Sequence, residues 1–66
     1  MDKHLLNLTL KRKGVTQEEL AKKIGVSRMS LSNRLNGKVQ WNLDEVKIVE
    51  NYLRLTNEEM LAIFFA

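Results

Sequence analysis

Arg28, Ser32 and Asn33 are the side chains of this 66-residue chain whose types and spacing best suit specific chemistry, and that chemistry is hydrogen bonding. The Arg28 guanidinium presents a fork of donors that matches O6 and N7 of guanine, and the Asn33 carboxamide can pair with N6 and N7 of adenine. Met29 beside them is most simply an apolar contact to a thymine methyl, the alternative being a tolerated surface residue. Catalysis has far poorer support. There is no Cys, hence no thiol nucleophile, disulfide or thiolate metal site, and His4 alone cannot build a zinc site. Asp44-Glu45 and Glu58-Glu59 stand at helix starts, where capping and the helix dipole account for them. The residues point away from an enzyme and imply neither cofactor nor metal.

The stretch Thr16–Gly37, TQEELAKKIGVSRMSLSNRLNG, must position these side chains. Thr16 and Glu19 form a capping box that opens a helix over 17–24, in which Leu20 and Ile24 share a face with the small Ala21 beside them. Gly25 stands where the chain must leave that helix in a left-handed conformation. Ser27 caps a further helix over 28–36, whose Leu31 and Leu35 lie four apart on its inner face, and Asn36-Gly37 ends it. At about 100° per residue, Met29, Asn33 and Asn36 then point away from the core, with Arg28 and Ser32 flanking them.

Two short helices joined by a tight turn containing Gly make a helix-turn-helix unit, whose second helix lies in the DNA major groove. Thr16-Gln17, Leu20-Ala21, Gly25-Val26-Ser27, Leu31 and Asn36-Gly37-Lys38, at these offsets, resemble the Cro/repressor-type (lambda-repressor-like) DNA-binding domains of phages and bacteria. The resemblance covers nearly the whole chain. It implies an all-α, compact five-helix lambda-repressor-like bundle that binds double-stranded DNA, with base contacts at Arg28, Met29, Ser32 and Asn33 and with Ser27 at the helix start. Phosphates would be held by the N-terminus of the 17–24 helix with Gln17, and by Asn36, Gly37 and Lys38. Ser30 and one cation of Lys11-Arg12-Lys13, represented by Arg12, are weaker candidates. Those three cations also complement the end of a helix dipole.

Two departures from the family's pattern carry information. Many members pair an Arg at the position of Leu10 with a Glu at the position of Leu35; here both are apolar. Replacing both partners of a buried ion pair is tolerated, whereas replacing one is costly. The paired change therefore implies that the first and third helices touch through Leu10 and Leu35. Arg34, by contrast, occupies a position that is usually apolar. It cannot be buried unpaired, so either its helix is slightly rotated or Arg34 reaches solvent, a Glu or a phosphate.

The remaining elements follow in order, all within a single domain over 1–66. A first helix over 3–13 has Asp2 as N-cap and Gly14 past its end; Leu6 and Leu10 share one face, Leu5 and Leu8 another, so one pair is less buried. After Trp41, Asn42-Leu43-Asp44-Glu45 is a capping box opening a fourth helix to about Arg54. Leu43, Val46, Val49 and Leu53 form its inner stripe, with Ile48 and Tyr52 on a different side. Thr56-Asn57-Glu58-Glu59 opens a fifth helix through Phe65, where Met60, Leu61 and Phe64 recur at helical spacing. The chain is still apolar at Ile63-Phe64-Phe65-Ala66. There is no Pro and no strand pattern.

A chain this short buries only about 60% of its unfolded surface, so its stability margin is small. Without disulfide or metal, oligomerisation is the remaining common source of buried area. Trp41, Ile48, Tyr52, Ile63 and Phe65 are the apolar residues available for a homodimer contact, although the first expectation for Trp41 is packing the core under the fourth helix, with the dimer contact as the alternative. No apolar run approaches the ~20 residues that span a bilayer, and the N-terminus has no signal-peptide pattern, so the expectation is cytoplasmic residence without a membrane partner. Charge is unevenly spread: net +3 overall, +6 over residues 11–38 and −3 over residues 39–66. A basic half suits a polyanion. The leading expectation is a sequence-specific transcriptional repressor of phage or prophage kind, a homodimer on a palindromic operator. The alternative is a helix-turn-helix scaffold acting as a protein-binding module, an antitoxin or antirepressor, through its acidic and apolar C-terminal half. Salt dependence separates them, since only a DNA binder loses DNA affinity steeply with salt.

Overall fold

A computed structural model describes residues 1–65; Ala66, which the sequence reading includes in the domain and in its apolar end, lies outside the described residues. The helices are α1 (Lys3–Lys13), α2 (Gln17–Ile24), α3 (Arg28–Leu35), α4 (Leu43–Leu53) and α5 (Asn57–Phe64), with no strand among the described residues. Every one starts at a side-chain cap. Asp2, Thr16, Ser27, Asn42 and Thr56 each accept a hydrogen bond from the backbone N–H three residues on, satisfying a donor the helix itself cannot pair. At Thr16, Asn42 and Thr56 the reciprocal bond from Glu19, Glu45 and Glu59 is also made, so all three expected capping boxes form. Gly25 ends α2 at φ 86°, and its N–H and that of Val26 both return to the Ala21 carbonyl. α4 ends differently, with Arg54 rather than a glycine in the left-handed region at φ 54°.

Each helix contributes one fully buried side chain to a common core: Leu6, Leu20, Leu31, Val49 and Ile63. Burying a side chain of this size stabilises by about 1.5–3 kcal/mol, and this centre is what binds the five elements together. The turns add to it. Val15, Val26, Trp41 and Leu55 immediately precede the caps of α2 to α5, and all four join or pack on the core. An apolar residue there packs against the fifth residue after the cap's predecessor, which here is Leu20, Leu31, Val46 and Met60 in turn. Leu10 and Leu35 are both buried in the same core.

Three assignments of inner faces are corrected. Leu43 is 68% exposed, because the inward stripe of α4 is Glu45, Val49 and Leu53, and Leu43 lies about 200° around the helix from Glu45. Leu61 is exposed for the same reason, since Met60, Ile63 and Phe64 face inward on α5. Ile63 is therefore core, 1% exposed, and unavailable for a dimer contact. On α1 the inner pair is Leu6 and Leu10; Leu8 is exposed and Leu5 half-buried. Among the described residues no helix is long and apolar enough to cross a membrane.

Candidate nucleic-acid interface

Leu31 and Leu35 anchor α3 to the core, and the opposite face of the helix carries the candidate base-reading side chains. Ser27, Arg28 and Met29 are exposed, Met29 at 71%, while Ser32 and Asn33 are half-buried on the same outward side. Ser27 is already committed to capping, its hydroxyl accepting from the Ser30 N–H at 3.0 Å. Arg28 has no carboxylate within 4 Å among the described residues, and neither have Lys3, Lys11 and Lys38.

Two groups flank this face. At the N-terminus of α2, half-buried Gln17 donates from Nε2 to Asn7 Oδ1 of α1 at 2.8 Å, keeping its second amide hydrogen. At the C-terminal end of α3, Asn36 accepts from Lys3 Nζ at 2.8 Å and donates from Nδ2 to Ser32 Oγ at 3.3 Å. The chain then folds back: the N–H groups of Gly37 and Lys38 are donated to the carbonyls of Arg34 and Asn33. Gly37, at φ 76°, therefore offers close approach rather than a backbone donor, and Asn36 and Lys38 must supply their side chains. Neither Asn7 nor Lys3 was singled out in the sequence. Their i, i+4 spacing with Lys11 marks one face of α1, and it is this face that meets the helix-turn-helix unit.

Two phosphate candidates are differently engaged. Arg12 points the other way, its Nη2 paired with Glu59 Oε2 of α5 at 2.8 Å; five residues on from Asn7, it lies about 140° around α1 from that face. Lys11 is the cation of that triplet that lines the same groove as Asn7 and Gln17. Ser30 turns inward, its Oγ accepting from Arg34 Nη1 at 2.7 Å.

Arg34 takes the Glu among the options its position left open. Its Nε and Nη2 form a fork on Glu45 Oε1 and Oε2 at 3.0 and 2.9 Å, and Nη1 also donates to the Ser30 carbonyl. Only 12% and 10% of the two side chains remain exposed. Glu45 Oε1 accepts in addition from the Asn42 N–H, so one carboxylate joins α3, α4 and the connection between them. Hydrogen bonding to Arg34 holds the Glu45 carboxyl below the usual carboxylate range, against the opposing effect of burial. The same bond raises the Arg34 guanidinium.

With Ile63 in the core, the four remaining candidates for a dimer contact do not form one surface. Trp41 is half-buried, packed edge to face on Phe64 at 5.3 Å, with its indole N–H donating to Met1 Sδ; it thus has both a packed and an open edge. Phe65, 71% exposed, shares a groove with Met1, Val39 and Trp41. Ile48 and Tyr52 lie on the other side of α4, beside Lys23, whose ammonium sits 5.5 Å from the Tyr52 ring centre. Among the described residues no group of three His, Cys, Asp or Glu could hold a metal ion. Residues 7–59 match the family model described as Helix-turn-helix, a span from α1 into α5 that includes the whole unit above. No curated protein matches the chain at a significant level.

Proposed function

From the premise that the chain belongs to the helix-turn-helix family, and is a DNA-binding transcription regulator of the Cro/C1 type with a lambda-repressor-like domain, we propose that it is a repressor of phage or prophage kind. It binds a palindromic operator as a homodimer. Arg28, Met29, Ser32 and Asn33, with Ser27 at the helix start, read base edges in the major groove. Gln17, Asn36 and Lys38 hold phosphates on either side, and Lys11 replaces Arg12 as the cation from α1. Two recognition helices in successive major grooves cover a promoter and exclude polymerase.

One observation carries this reading: an outward α3 face with an unpaired Arg28, between two flanks that each offer free donors. The family is regulatory and generally non-enzymatic, which agrees with it. The test is a salt titration on a duplex selected from random DNA. The logarithm of the affinity should fall linearly with the logarithm of salt, by about 0.9 for each phosphate neutralised. Absence of any DNA complex even at low salt would refute the reading and leave the chain as a protein-binding module.

A further inference from the structure

The Lys3–Asn36–Ser32 chain of hydrogen bonds has a fixed direction. An ammonium donates and never accepts, so the Asn36 carboxamide must turn Oδ1 towards Lys3 Nζ, 2.8 Å away. Its Nδ2 is then the group left for Ser32, 3.3 Å away, and Ser32 Oγ must accept. A serine inside a helix commonly gives its own proton to the carbonyl four residues back, as Thr9 does to Leu5 at 2.8 Å. Ser32 makes no such bond among the described residues, and its proton has no acceptor among them. It is the one hydroxyl on the outward face of α3 that is neither capping a helix nor bonded to Arg34.

Resting on the major-groove reading above, we infer that Lys3, through Asn36, sets Ser32 as a hydrogen-bond donor and so determines which bases it accepts. A hydroxyl alone is undiscriminating, because it can rotate to donate or to accept. With one lone pair occupied by Asn36 and its proton directed outward, Ser32 favours an acceptor edge: N7 or O6 of guanine, N7 of adenine or O4 of thymine. Cytosine, which offers only its N4 donor in the major groove, is left a single lone pair and forgoes the outward proton, and is therefore disfavoured. Lys3 is then a positioning residue for base selection, 29 positions away in the chain from the side chain it acts upon.

Selection of bound sites from random DNA at low salt, by the full chain and by four variants, tests this. The position whose preference is lost in Ser32→Ala identifies the base under Ser32. At that position the unaltered chain should disfavour cytosine by about fivefold or more, the lower end of a single mismatch. Lys3→Met, at an exposed site, should keep the melting temperature and relax the preference at that position alone. Asn36→Asp should weaken binding overall, because the same side chain faces phosphate, and among the sites still selected at low salt should reverse the preference, because a carboxylate cannot donate to Ser32; the hydroxyl then gives its proton inward and turns lone pairs to the base. Lys47→Met, removing an equal charge on α4, should weaken binding slightly and leave every base preference unchanged. If Lys3→Met weakens all sites evenly and preserves that preference, Lys3 merely touches phosphate and the inference fails. It fails also if Ser32→Ala alters no position or if the unaltered chain selects cytosine there. A chain that binds no DNA at all would overturn the major-groove reading itself.

Discussion

Arg28 enters a complex with no ion pair to break, since no carboxylate lies within 4 Å of it among the described residues. Arg28→Ala should therefore weaken specific binding by about 1–3 kcal/mol and relax preference at one base pair, with the denaturation midpoint nearly unchanged. Equal weakening on every sequence would instead assign Arg28 to phosphate. Residues such as Arg28, Met29 and Asn33 were legible in the sequence because their placement needs only the period of the helix and the positions of Leu31 and Leu35. Arg12 was not. Its partner Glu59 lies 47 positions away, and no local pattern announces a contact over that distance. Glu45 misled in a subtler way. Its capping role is real, but the same carboxylate also neutralises Arg34, a second role that the local capping pattern conceals.

At the scale of elements, the caps were readable because each bond closes over three residues, and α1 to α5 begin where those caps stand. Inner faces were less so: on α4, the demand of Arg34 for a buried partner rotates Glu45 inward and Leu43 out. The α3–α4 pair is accordingly a structural choice with measurable consequences. Glu45→Ala should destabilise by at least about 2 kcal/mol, short of the roughly 3–5 kcal/mol of a dry pair because a tenth of each side chain stays wet. Replacing both partners, Arg34→Met with Glu45→Leu, should recover most of that loss, and urea titrations of the singles and the double measure the coupling. Acidity offers a second measurement. The Glu45 carboxyl is depressed in the folded chain, so on acidification the unfolded state takes up its proton first. Its stabilisation is full above the ordinary carboxylate range and lost as pH falls through the depressed folded value. Urea midpoints at pH 7 and pH 3 should therefore differ less in Glu45→Gln than in the unaltered chain.

At the scale of the whole molecule, charge chooses between the two apolar surfaces available for pairing. A two-fold contact sets each patch against its own copy, so any unpaired charge meets its equal. The Ile48–Tyr52 side carries Lys23 and Arg54, which would be opposed across such an axis. The groove with Val39, Trp41 and Phe65 contains Arg34, whose charge Glu45 already neutralises, and it exposes the Phe65 ring, which has no ring or cation partner among the described residues. Gly37 and Val39, just past the recognition helix, line the same groove, so a contact here holds two α3 helices in a fixed relation. The expected assembly is a homodimer that is weak in free solution and completed on DNA, with recognition helices about 34 Å apart on a palindrome. Phe65→Ser should leave the affinity for a half-site duplex unchanged and abolish the cooperative gain on the full site, whereas Tyr52→Ser should retain that gain. Sedimentation with half-site and full-site duplexes reads the stoichiometry directly. One protein per full site, with no preference for the palindrome, would exclude the dimer, and loss of the gain in Tyr52→Ser alone would move the axis to the other side of α4.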